Sequence, residues 1–144
     1  PIAVIIDVDI LSTLPQREFI SGFAEIIKHG LIADKKYFQF VTSQKPQEFS
    51  QDELINIVSR SIQIKADIVS QDEKENDIRK LLNFGHTIGH AIEAASDYKV
   101  YKHGEAISVG MLSAGEIACR LGLLNNNVFS RLNNLIKELV YPQK

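Results

Sequence analysis

Leu81 to Glu105 reads LLNFGHTIGHAIEAASDYKVYKHGE, and three of the chain's four histidines, His86, His90 and His103, lie inside it. Leu82, Ile88, Ala91, Ile92, Ala94 and Ala95 recur at spacings that suit a helix running from Leu81 onward. On such a helix His86 and His90 stand one turn apart on one face, with Glu93 beside them. Two imidazoles in that relation can aim their nitrogens at one point, which makes them a candidate metal pair. His103 follows the polar segment Ser96-Asp97-Tyr98-Lys99 and can fold back as a third ligand. A single histidine on such a face would be read as a hydrogen-bonded structural residue. Three of them, with Glu93, Glu105 and the interior glycines Gly85 and Gly89, favour a site, because each glycine costs a helix about 1 kcal/mol relative to alanine.

Outward from this stretch, helices dominate. Ser12-Thr13-Leu14-Pro15 is a helix start, and a helix over Gln16 to Ala33 has an apolar face of Phe19, Phe23, Ile26 and Ile27. Glu25 and Lys28 share a face of it, and their spacing alone suggests no more than an exposed ion pair. A short helix over Lys35 to Thr42 precedes a loop broken by Pro46. Ser50 and Glu53 form a capping box for a helix over Gln51 to Ser70, whose expected core stripe is Leu54, Val58, Ile62, Ala66 and Val69. Lys65 lies at the margin of that stripe. Arg79 and Asn83, four apart, are expected on the first turn of the histidine helix, forming a row with His86 and His90 that would suit an anionic substrate. Ala106 to Leu121, rich in small residues, reads as a central buried helix closed by Gly122, and an amphipathic helix follows Asn125-Asn126-Asn127 and ends at Tyr141-Pro142. Pro1 to Ile6 reads as one short buried strand with no partner nearby, so its sheet is expected in sequence beyond these residues. The expected fold is therefore mainly α, a single compact multi-helix domain over residues 1–144.

Composition excludes several classes. A net charge of −2 and the absence of basic blocks argue against a nucleic-acid surface. One cysteine forbids an internal disulfide, and no apolar run is long enough to span a bilayer, so a cytoplasmic location is expected.

LLNFGHTIGHAIE, residues 81–93, and HGEAISVGM, residues 103–111, resemble the C-terminal domain of the 3-dehydroquinate synthase family. IDVDILSTLPQREFISGFAEIIKHG and KADIVSQDEKENDIRKLLNFGH agree with it in order, so the resemblance covers about Ile2 to Leu123. It implies an enzyme of the shikimate pathway that converts the seven-carbon sugar phosphate DAHP to 3-dehydroquinate and phosphate, using NAD and a zinc or cobalt ion. It further implies that Glu25, His86 and His103 hold the metal, that His90 contacts substrate and transfers protons, and that Lys28, Lys65, Arg79 and Asn83 grip the substrate. This replaces the His86 and His90 ligand pair that spacing suggests and brings Glu25 in from another helix. No Gly-rich turn after a strand is present, so the resemblance places NAD in a separate domain and predicts that these 144 residues alone do not turn over substrate. The family's habit of forming homodimers is a further implication. Two other readings stay open: a related sugar phosphate cyclase such as 2-deoxy-scyllo-inosose synthase, and a stand-alone, non-catalytic metal-binding module.

Overall fold

A computed structural model describes residues 2–139, with the side chain of Leu139 left aside. Six α-helices follow one another: α1 (Gln16–Ala33), α2 (Lys35–Val41), α3 (Gln51–Gln71), α4 (His86–Ala95), α5 (His103–Arg120) and α6 (Asn126–Leu139). Short 3-10 helices at Val8–Thr13, Pro46–Glu48 and Ile78–Asn83 join them. α1 packs against α2, α3 and α5, while α5 packs against α4 and α6. The core lies between these layers and is built from Phe23 and Ile27 of α1, Val41 of α2, Ile57 and Ile64 of α3, Ile107 and Met111 of α5, and Ile136 of α6.

Local chemistry sets most boundaries. Asp34 ends α1 and caps α2, its Oδ1 accepting from the backbone N–H groups of Lys36 and Tyr37 at 3.0 Å each. The Ser50 and Glu53 capping box opens α3 as expected, with Glu53 Oε2 accepting from the Ser50 N–H at 2.8 Å. Gly122, at φ +71°, closes α5: its N–H donates to Cys119 O, and that of Leu123 donates to Ala118 O at 2.8 Å. Tyr141-Pro142, the expected stop of the last helix, lies outside the described residues.

Four expectations need correction. Among the described residues there is no strand: Ile2 to Asp7 have no regular structure, and Ile2, Val4 and Ile5 are exposed. A strand needs a partner for its backbone groups, and no described segment offers one. The buried stripe of α3 is Ile57, Ser61, Ile64 and Ile68, whereas Ile62 and Ala66 face solvent. Uniform four-residue steps drift around a helix by about 40° each, while alternating steps of three and four stay on one side. The histidine helix starts at His86, not Leu81. Ile78–Asn83 is a separate 3-10 helix, and Gly85, at φ +82°, breaks the chain between the two. Finally, α5 begins at His103 itself rather than at Ala106.

Glycines let the helices that carry the histidines come together. A Cβ at Gly110 of α5 would stand 2.8 Å from the carbonyl carbon of Gly85 and 3.0 Å from the Gly89 nitrogen, with the Gly85 oxygen closer still. At Gly104 it would stand 2.6 Å from the carbonyl carbon of Ser21 in α1. The sequence penalty at these glycines is thus the condition for backbone contact among α1, α4 and α5.

Candidate metal centre

Three helices each bring a donor to one point. Glu25 projects from the middle of α1, His86 is the first residue of α4 and His103 the first of α5. Glu25 Oε1 lies 3.9 Å from His86 Nε2 and 4.0 Å from His103 Nε2, and the donor atoms of the three all lie within 4.8 Å of one another. These separations are too long for hydrogen bonds. Glu25 Oε1 is buried and has no hydrogen-bond partner, although an orphaned carboxylate oxygen costs about 1–3 kcal/mol. Ligands about 2.1 Å from a tetrahedral ion stand roughly 3.4 Å apart, so Glu25 Oε1 would close on each ring nitrogen by about half an ångström to surround one. A two-histidine, one-carboxylate donor set with an unfilled carboxylate oxygen fits a zinc-like divalent cation.

Lys28 fixes the carboxylate. It is only 2% exposed, and its Nζ donates to Glu25 Oε2 at 2.6 Å, which leaves Oε1 to face the histidines. The exposed ion pair expected from spacing is in fact a buried lysine held by a partly buried glutamate. Burial lowers the Lys28 pKa, against the opposing pull of Glu25. Burial also lowers that of His86, helped by the Lys28 charge, which favours the neutral imidazole that can offer a lone pair.

His90 belongs to a second grouping. The His86 and His90 rings meet edge to face at 5.2 Å, but His90 Nδ1 is turned to Glu93 Oε2 at 2.8 Å. Glu93 Oε1 receives His103 Nδ1 at 3.1 Å. His90, Glu93 and His103 could on proximity be taken as another cation site. The distances favour hydrogen bonding instead: 2.8 Å is a charge-assisted hydrogen bond, well short of the roughly 3.4 Å that separates two ligands of a tetrahedral ion. Burial pushes the Glu93 pKa up, but the hydrogen bonds from His90 and His103 outweigh it and hold the carboxyl below its ordinary value.

The substrate-gripping residues implied by resemblance sit around this centre unevenly. Lys65 is exposed on α3, near enough for its charge to depress the Lys28 pKa. The expected row of Arg79, Asn83, His86 and His90 does not form, because the break at Gly85 ends the 3-10 helix before α4 begins. Arg79 and Asn83 are joined instead through Glu75, which accepts from Asn83 Nδ2 at 2.6 Å and lies 3.8 Å from Arg79 Nε. Arg79 Nη1 also donates to the Glu73 carbonyl at 2.7 Å. Glu75 itself is a non-glycine residue at φ +58°.

Two further groups were not legible beforehand. Arg17 of α1 grips the buried Glu105 of α5 with a two-pronged contact, Nε to Oε1 at 2.6 Å and Nη2 to Oε2 at 2.7 Å. Glu105 Oε2 also accepts the Lys102 N–H at 2.9 Å, so this pair anchors the turn that presents His103. His29 is buried in α1 with Nδ1 2.7 Å from Ser61 Oγ. Its hydroxyl partner explains why a serine occupies the apolar stripe of α3.

Comparison with known proteins agrees with the geometry. The chain is 47% identical over 144 residues to the 3-dehydroquinate synthase of Thermodesulfovibrio yellowstonii and 45% identical over 146 residues to that of Nostoc punctiforme, covering 99% of this chain each time. It spans 40% of the length of both relatives. Among solved structures, 2-deoxy-scyllo-inosose synthase in complex with carbaglucose-6-phosphate, NAD+ and Co2+ superposes with a TM-score of 0.81 at 32% identity, over 92% of this chain and 36% of that one. The 2-epi-5-epi-valiolone synthase of Streptomyces hygroscopicus subsp. jinggangensis, with NAD+ and Zn2+ bound, gives a TM-score of 0.82 at 25% identity, over 95% of this chain and 39% of that one. With a family model of the C-terminal part of 3-dehydroquinate synthase matching residues 22–144, the chain belongs to the 3-dehydroquinate synthase family.

Proposed function

We propose that this chain is a single helical domain over residues 1–144 that supplies the metal and substrate groups of a 3-dehydroquinate synthase, the lyase that turns DAHP into 3-dehydroquinate and phosphate. The observation that carries the reading is the buried, unpartnered Oε1 of Glu25 facing Nε2 of His86 and of His103. Glu25, His86 and His103 would hold the divalent cation, zinc or cobalt. Bound there, it supplies Lewis acidity toward the hydroxyl being oxidised and the carbonyl that results.

The chain's own residues do the rest. Lys28 keeps Glu25 turned toward the histidines and places a desolvated ammonium at the edge of the site. His90, whose Nδ1 is occupied by Glu93, keeps Nε2 free to exchange a proton with substrate. Lys65 has no ion-pair partner among the described residues, and Arg79 offers a planar donor fork; both suit the carboxylate and phosphate of DAHP, with Asn83 as a neutral donor. NAD is assigned to the remainder of the relatives' length, because hydride transfer needs a dinucleotide and this chain has no Gly-rich turn following a strand. Among the described residues, no helix is long and apolar enough to cross a membrane. A cytoplasmic homodimer is the assembly this reading entails.

The test is an assay of a protein that joins this chain to the rest of the relatives' length. It should release phosphate from DAHP with NAD and zinc present, lose that activity on Glu25→Gln, and leave glucose 6-phosphate untouched. Preference for glucose 6-phosphate would instead support the 2-deoxy-scyllo-inosose synthase reading. Zinc binding without turnover of either would support a non-catalytic module.

A further inference from the structure

Glu93 stands among three imidazoles without being one of the converging donors. Its side chain is buried, 7% exposed overall, and each oxygen takes a different histidine, His90 Nδ1 at 2.8 Å and His103 Nδ1 at 3.1 Å. An ionised carboxylate can only accept, so both ring nitrogens facing it must carry their hydrogens. In a neutral imidazole the lone pair is then on Nε2. His86 reaches the same state by another route, with Nδ1 3.3 Å from the Phe84 carbonyl oxygen. The backbone of Glu93 works toward the same end. Its carbonyl accepts the Tyr98 N–H at 2.8 Å and the Ser96 N–H at 3.2 Å, holding the turn in which Asp97 and Tyr98 adopt φ of +51° and +56°. That turn reverses the chain and returns it to His103.

We propose that Glu93 is a positioning residue shared by two groups of different function: it holds His103 and His90 together as Nδ1–H tautomers, aiming His103 Nε2 at the cation site and His90 Nε2 at the substrate. One carboxylate thereby sets both the metal ligand and the proton-transfer group. The functions of the two histidines rest on the reading above; their tautomers do not.

Glu93→Gln tests this with almost no change of shape. An amide has only one oxygen, and its NH2 cannot accept a hydrogen, so at least one of the two imidazoles must turn over to the Nε2–H form. Long-range proton–nitrogen spectra of the metal-free chain at about pH 8, above the ordinary imidazole range, should show Nδ1–H at both His90 and His103 in the wild type. The variant should show at least one Nε2–H. Its zinc Kd should rise about 10–100-fold, the usual effect of losing an outer carboxylate on a ligating histidine, while its Tm stays near that of the wild type. An Nε2–H tautomer at either histidine in the wild type overturns the proposal, and that measurement needs no variant to fold. A Glu93→Gln chain that keeps both tautomers, with zinc affinity within about twofold where one would expect at least tenfold, overturns it as well. Wild-type chain showing both Nδ1–H tautomers yet binding no zinc would defeat the metal reading while supporting the clamp itself.

Discussion

Gly110→Ala is the substitution on which helix propensity and packing disagree most sharply. In the interior of an exposed helix the change would stabilise by about 1 kcal/mol. At Gly110 the new Cβ would stand 2.8 Å from the carbonyl carbon of Gly85, closer than real Cβ contacts come, and 3.0 Å from the backbone nitrogen of Gly89, tighter than nearly all of them. Both obstacles are backbone, so no side chain can swing aside, and α4 must move off α5 by about 1 Å. Overpacking of this kind costs typically 1–3 kcal/mol, and rigid neighbours put it at the upper end. The net effect is a destabilisation of roughly 2 kcal/mol, or a Tm lower by about 4–8 °C for a chain of this size. His86 follows Gly85 directly, so the displacement also draws its Nε2 away from Glu25 and His103, and zinc affinity should fall at least about tenfold. Gly22→Ala is the matched control: it lies in α1 with nothing within 4 Å of its added Cβ, and should stabilise by about 0.5–1 kcal/mol. Thermal melts and zinc titration of the two variants read both effects. A Gly110→Ala chain at least as stable as the wild type, with unchanged zinc affinity, would refute the claim that backbone contact at this crossing places His86.

Burial pushes the His29 pKa down to about 4, so it stays neutral in the folded chain while the unfolded chain titrates near 6.5. Below that value the unfolded state binds more protons, and stability should fall with pH, by about 2 kcal/mol between pH 7 and pH 5. Denaturant titrations should show this loss in the wild type and lack it in His29→Gln. Zinc at about 100 times its Kd should stabilise the wild type by roughly 2.7 kcal/mol, and Glu25→Gln should abolish most of that gain in calorimetry. Arg17→Met leaves the buried Glu105 carboxylate with the Lys102 amide as its remaining partner. A lower Tm is expected, with weaker zinc binding because Glu105 anchors the turn before His103, and Arg17→Lys should restore only part of either.

Local sequence was enough for the helices whose ends are set by short-range chemistry. Ser50 and Glu53 announce the start of α3, and Gly122 the end of α5, because capping bonds span only a few residues. The family resemblance named Glu25, His86 and His103 together, but spacing on its own paired His86 with His90, since it sees only neighbours on one helix. Which faces turn inward depended on what packs against them, so the α3 stripe shifted to Ile57, Ser61, Ile64 and Ile68, with Ser61 admitted by the distant His29. The break at Gly85 was likewise invisible to periodicity, which counts apolar positions and not φ. The sequence alone thus determined a mainly helical chain and its family. Only the tertiary structure decided that α1, α4 and α5 meet through glycines, that Lys28 is buried behind Glu25, and that Glu93 spans two histidines, because each of these depends on contacts between residues far apart along the chain.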